Sequence, residues 1–312
     1  MTLKSARKKK LDLRLLRTEQ SKDGAHDLDC MSSIELARII NAEDATVGAS
    51  VTRVLPQIAR AIDLVVAALQ KGGRLIYVGA GTSGRIGVLD AAECRPTFNT
   101  DRIQYIIAGG PKALGSDSEI SEDDSRQGRA EMAHRKPTKQ DVVLGIAASG
   151  RTPFTLAALE LARGRGAQTV ALTCNPKSPL ERAAHFAIVT QVGPEVLAGS
   201  SRMKSATAHK MVLNMISTAA MSRLGYVYGD LMVNVVPKNE KLKQRAVAIL
   251  QRASGKSQDD ARRALHSSGG HTPVALVTLI AGVGKNEAVT ALKQSHGHVR
   301  NAIALAKQIS GQ

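Results

Sequence analysis

Aromatic residues are scarce in this 312-residue chain: they make up 2% of it, and tryptophan is absent. A core built under that limit rests on Ala, Val, Ile and Leu, which suits helices packed on a sheet better than an aromatic binding groove. The same scarcity removes the base-stacking platforms of nucleic-acid binders, and no nucleic-acid motif replaces them, so no nucleic-acid partner is expected. No run approaches 18 apolar residues, so no membrane span is expected either. The basic start "MTLKSARKKKLDLRLLRTEQ" is interrupted by Asp12, Arg14 and Arg17 and does not read as a secretory signal. Cysteine is limited to Cys30, Cys94 and Cys174, an odd number without metal-ligand spacing. We read them as reduced thiols in a cytoplasm.

Positive charge is abundant. The formal net charge is +16, and the first twenty residues carry seven Lys or Arg against Asp12 and Glu19. Such a balance attracts polyanions or an anionic substrate, and a solvated basic surface would carry it equally well. Residues 1–25 are expected to be a basic extension outside the fold.

Four strand-like runs alternate with helical patterns: "RLIYVGAG" from Arg74, "DVVLGIAASG" from Asp141, "QTVALTCN" from Gln168 and "HFAIVTQV" from His185. Buried strands alternating with helices predict a three-layer α/β fold on a parallel sheet, here assigned to residues 26–240 with N-terminal helices ahead of it. "SSIELARIINAED" has Glu35 placed for a capping box with Ser32 or Ser33. A long Ala/Met/Leu helix is predicted over 203–225. Residues 241–312 are assigned to a small helical subdomain. There "DARRALHSSGGHTPVAL" and "EAVTALKQSHGHVRNAI" align at a spacing of 27, each reading as helix, glycine turn, helix. The paired His271 and His298 lack partner Cys, Asp or Glu at ligand spacing, so helix-cap roles are expected and no metal site is.

In an open parallel sheet, ligands sit where strand ends turn into helix N-termini. Two loops share that design. "GAGTSGR" brings Gly81, Thr82 and Ser83, and "AASGRTP" brings Ser149, Gly150 and Thr152. Backbone N–H groups and hydroxyls at a positive helix end suit a phosphate. The dinucleotide fingerprint fails, because no acidic residue follows a second strand at the required distance, and no Walker lysine follows a glycine. A small phosphorylated ligand therefore fits better than a nucleotide. A third segment, "GPEVLAGSSRMKSATAHK", bunches Glu195, Ser200, Ser201, Arg202 and Lys204 at the entry of the long helix, with Ser200, Ser201 and Lys204 as further anion-ligand candidates.

Taken together, "GTSGR…DAAEC", "GIAASGRTP", "GPEVLAGSSRMKSATAHK" and "LMVNVVPKNEKL" resemble the N-acetylmuramic acid 6-phosphate etherases, a SIS-domain family related to the glucokinase regulatory protein. The resemblance runs from about residue 28 to the C-terminus. It implies a flavodoxin-like SIS fold, a sugar-phosphate substrate, a homodimer, and cleavage of a lactyl ether by elimination and water addition without metal or organic cofactor. It implies that Glu93 of "DAAEC" donates a proton to the departing lactate oxygen. It also places the base at Glu122 of "EISEDDS". Arg95, Ala206, Asn234 and Pro237 depart from the family pattern. A non-catalytic sugar-phosphate sensor and an aldose–ketose isomerase are the competing readings. A sensor needs the phosphate loops but no acid–base pair, and an isomerase would release no lactate.

Overall fold

The computed structural model describes residues 16–21, 27–115, 119–237 and 239–309. Three helices open the fold: α1 (Ser33–Asp44), α2 (Val47–Thr52) and α3 (Leu55–Gln70). The Glu35 carboxylate accepts from the Ser32 backbone N–H at 2.9 Å, the reciprocal half of the capping box that the sequence suggested. The sheet region then runs β1 (Leu75–Gly79), α4 (Gly81–Phe98), β2 (Ile103–Ile107), α5 (Glu119–Glu122), α6 (Ser125–His134), β3 (Val142–Ile146) and α7 (Pro153–Gly164). It closes with β4 (Gln168–Thr173), α8 (Pro179–Ala183), β5 (Phe186–Val189) and α9 (Lys204–Arg223). Five further helices follow: α10 (Glu240–Ser254), α11 (Gln258–Ser267), α12 (Thr272–Ala281), α13 (Lys285–Gln294) and α14 (Val299–Ile309).

All strand pairs are parallel, in the order β2-β1-β3-β4-β5. Strand side chains alternate between two apolar layers, as the period of two requires. Leu75, Tyr77, Leu144 and Leu172 pack under α3, α4 and α9, while Ile76, Val78, Val143 and Ala171 pack under α6, α7 and α8. This is the three-layer α/β fold expected. The strand missed from the sequence is β2, which sits at the sheet edge with Gln104 and Tyr105 only half-buried. Its apolar alternation is short and lies directly behind a long helix that contains Pro96.

The C-terminal repeat folds as the spacing implies. Ala261 and Ala288, Leu265 and Leu292, and Ala275 and Ala302 are all buried in one cluster, separate from the sheet core, which also takes in Val233 and Val235. Each helical hairpin turns on the same bond, Gly270 N–H to Leu265 O and Gly297 N–H to Leu292 O, both 2.8 Å. His298 accepts the Asn301 N–H at 3.4 Å, the helix-cap geometry. Asn234 donates its amide to the Tyr226 carbonyl at 3.0 Å, a bond that an aspartate at this position could not make. No single helix among the described residues is long and apolar enough to cross a membrane.

Two buried carboxylates brace the sheet region. At the N-terminal strand ends, Asp141 accepts from the Arg74 backbone N–H at 2.9 Å, from both Nε and Nη2 of the same arginine, and from the Thr138 N–H at 2.8 Å. Burial pushes this carboxyl's pKa up, but the Arg74 guanidinium and the Thr138 N–H outweigh it and hold it below the usual range. Within the core, Asp90 of α4 accepts from Tyr77 Oη at 2.8 Å and from Ser217 Oγ at 3.1 Å, tying α4 to β1 and α9. Here burial wins, and the Asp90 pKa is raised. Asp141→Ala is expected to lower the unfolding free energy by about 2–3 kcal/mol, because two backbone N–H groups and part of a guanidinium lose their acceptor. Urea unfolding of the variant against the parent measures it, and a loss under about 0.5 kcal/mol would contradict the role assigned to Asp141.

Candidate active site

β1 and β3 are neighbours, and the connection from β1 runs to β2 on one side while that from β3 runs to β4 on the other, which opens a crevice at their carboxyl ends. A cavity of about 340 Å³ occupies it. One wall is the start of α4, with Ala80, Gly81, Thr82, Ser83 and Arg85, and another is the loop after β3, with Ala147, Ala148, Ser149 and Thr152. Ser201 closes a third side. The helix begins at the first residue after the Ala80 cap, so its unpaired N–H groups face this space. Hydroxyls of both loops and the start of α4 thus line one cavity.

Glu122 also lines this cavity. It is half-buried at the end of α5, and its carboxylate lies over Gly81 at φ +49°, where an added Cβ would come within 2.5 Å of Oε1. Only glycine both adopts that backbone conformation and leaves the carboxylate room at the helix start. Arg85, which sequence reasoning passed over, supplies a cation at the cavity wall and is steadied by an Nε–H bond to the Ala113 carbonyl at 2.9 Å. Its signal was the last letter of "GTSGR".

Other candidates stand elsewhere. Glu93 is exposed on α4, twelve residues past Gly81, or about 18 Å along the helix axis, and does not line this cavity. Gly150, at φ +66°, packs on Ser178 beneath the loop, and Ser200 is half-buried beside Ser201 without lining the cavity. Lys204 departs from its expected place among the anion ligands. Its side chain is 3% exposed, and its ammonium donates to Glu43 Oε2 at 2.5 Å. Glu195 has the reason. Buried beneath the start of α9, it accepts from the Lys204 and Ser205 N–H groups, both at 2.9 Å, and from Ser205 Oγ at 2.8 Å. The helix end that resembled an anion site is filled by the chain's own carboxylate.

Residues 16–21 also depart from the expected external tail. Leu16 and Thr18 are buried, Arg17–Glu19 form one 3₁₀ turn, and Thr18 and Glu19 line the cavity. Asn175 holds the turn: it accepts the Arg17 N–H at 2.9 Å and donates to Thr18 Oγ1 at 3.1 Å and to the Ala148 carbonyl at 3.0 Å. Residues 1–15 and 22–26 lie outside the described residues. A larger hollow of about 980 Å³ opens between α10 and α11, lined among others by Glu240, Lys243, Gln251 and Arg262. It has none of the hydroxyl-bearing strand-end loops, so the chemistry points to the smaller cavity.

Below the site, the Cys174 thiol lies 3.6 Å from His209 Nε2 in a fully buried pair. Burial pushes Cys174 up to about 11 and His209 down to about 4. Both are neutral near pH 7, which disqualifies the pair as an activated nucleophile. An unfolded histidine takes its proton near pH 6.5, so between about 6.5 and 4 only the unfolded chain binds it, and stability falls as pH drops through that window. In His209→Gln this part of the acid sensitivity is expected to vanish. Melting temperatures of both proteins across pH 7 to 4 check it, and parallel curves would refute it.

The five-stranded parallel sheet with its cavity between β1 and β3 is consistent with a SIS domain, and residues 128–219 match the SIS domain family. Residues 57–163 match the glucokinase regulatory protein N-terminal SIS domain. A relative from Rhizobium rhizogenes is 48% identical over 94% of this chain and 96% of its own. Another from Symbiobacterium thermophilum is 52% identical over 88% of this chain and 91% of its own, and one from Streptomyces avermitilis is 46% identical over 95% and 96%. All three are named N-acetylmuramic acid 6-phosphate etherase. The chain belongs to that family.

Proposed function

We infer that this protein is an enzyme cleaving the D-lactyl ether of N-acetylmuramic acid 6-phosphate with water, giving N-acetylglucosamine 6-phosphate and D-lactate. The observation that carries this reading to the site is Glu122 beside the hydroxyl-lined start of α4, a carboxylate within one cavity's width of a phosphate cradle. A phosphate on Thr82, Ser83, Ser149, Thr152 and Ser201 would leave the sugar's reducing end toward Glu122. Opening the ring to the aldehyde acidifies the C2 proton, which Glu122 takes as general base. Lactate then leaves from C3 with a proton from an acid, and water adds at C3 across the conjugated double bond. A regulatory sensor would not need Glu122 at the cradle.

Glu93 as the acid makes a demand on assembly. It cannot serve its own chain's cavity from the outer face of α4, so it would act in the cavity of a second copy. That face supports the demand: Leu89 is 46% exposed, and Ala92, Glu93 and Pro96 follow it on the same exposed stripe. Apolar surface around a carboxylate is what a second subunit would cover, and the reading is accordingly a homodimer. The unpaired thiols support a cytoplasmic site of action.

The direct test is release of D-lactate on incubation with N-acetylmuramic acid 6-phosphate, and isomerisation without lactate would overturn the reading. Ser83→Ala and Ser149→Ala are expected mainly to raise KM, since phosphate is bound alike in ground and transition states. Turnover of unphosphorylated N-acetylmuramic acid at an equal rate would contradict the cradle. Co-expressed Glu93→Gln and Glu122→Gln subunits, each inactive alone, are expected to recover about one quarter of wild-type activity, because half the dimers hold one intact site. No recovery would return both carboxylates to a single chain.

A further inference from the structure

The 3₁₀ turn Arg17–Glu19 is built into the roof of the site, and the catalytic reading gives it no task. Its placement is tightly constrained. Leu16 and Thr18 are 4% and 1% exposed, on either side of Arg17 and just ahead of Glu19. Both hydrogen-bonding ends of one buried amide, Asn175, hold the turn, and the same amide grips the Ala148 carbonyl in the loop after β3. A solvated tail would spend its polar groups on water. Here the strap is clamped through Asn175 to the loop after β3 that walls the cavity, and it lines that cavity with Thr18 and with the carboxylate-bearing Glu19. That carboxylate rests against residue 199, at φ +79°, where a Cβ would stand 3.1 Å from Glu19 Oε2. The Gly199–Ser201 side of the cavity thus leaves it room.

A carboxylate accepts hydrogen bonds and donates none when ionised. Facing a phosphate dianion it is repelled, so the phosphate on the hydroxyls is not its partner. What remains in a bound sugar phosphate is the set of donors along the carbon chain, its hydroxyls and the acetamido N–H. We propose that Glu19 is a sugar-binding residue of this site, its carboxylate accepting hydrogen bonds from those donors while the phosphate lies in the cradle. The assignment rests on the sugar-phosphate reading of the cavity. It gives the site two independent grips: the cradle holds any phosphate, and the strap distinguishes a sugar phosphate from phosphate alone. Asn175 is then a positioning residue, acting through the strap.

The test is calorimetric titration of the full-length protein with N-acetylglucosamine 6-phosphate and, separately, with inorganic phosphate. Glu19→Gln keeps the shape and removes the charge that strengthens the bond. It is expected to weaken the sugar phosphate roughly tenfold and leave inorganic phosphate unchanged. Ser83→Ala is expected to weaken both. Unchanged sugar-phosphate affinity in Glu19→Gln, or a parallel loss for inorganic phosphate, overturns the assignment. Lactate release is scored on the wild-type protein by itself. If it binds N-acetylglucosamine 6-phosphate with the expected Glu19 dependence but releases no lactate, the etherase reading fails and the assignment of Glu19 stands.

Discussion

The close approach of two backbones where β1 turns into α4 is the constraint on which the rest of the site depends. A Cβ on Gly84 would stand 2.8 Å from the Gly79 carbonyl oxygen, so the first turn of the helix lies directly on the end of the strand. Its unpaired N–H groups are thereby aimed into the crevice beside β3 rather than along the sheet. The angle is secured near the middle of the helix, where Tyr77 and Ser217 satisfy the buried carboxylate of Asp90. Without those two hydroxyls a buried charge would favour a helix shifted toward water. The helix is therefore pinned at two points, by close packing at its start and by a satisfied polar knot at its middle.

Against that fixed corner the remaining pieces are delivered by separate loops. Glu122 arrives from the segment after β2, Ser149 and Thr152 from the loop after β3, and the strap through Asn175 from the loop after β4. The carboxylates take distinct electrostatic parts. Glu195 neutralises the start of α9 from inside, while the starts of α4 and α7 face the cavity. Glu122 and Glu19 both line that space, alongside the hydroxyls and Arg85.

Much of this was legible in one dimension. The four strand runs are largely apolar, and those of β1 and β3 end at glycine-bearing loops, so they separate cleanly from the amphipathic helices between them. The helical hairpins betray themselves by repeating, because each pair buries the same alanines and leucines and turns on the same glycine. The edge strand β2 carries a weaker signal, since half-exposed Gln104 and Tyr105 dilute its apolar run. Lys204 illustrates a different limit. A basic residue at a helix start reads as an anion ligand whether its ammonium faces a cavity or an internal glutamate, and only the packing of α1 against α9 brings Glu43 to it.

By itself, then, the sequence determined the layer architecture, the two hydroxyl loops and the chemistry they favour, because backbone periodicity and helix-end polarity are local properties. Tertiary structure decided which groups share a cavity. It put Glu122 over Gly81 across more than forty residues of chain, withdrew Lys204 into the core and left Glu93 on the far side of its helix. It also turned part of a basic leader into the roof of the site through a single asparagine. Such pairings depend on strand order and on which buried polar groups satisfy one another, and no spacing along the chain encodes either.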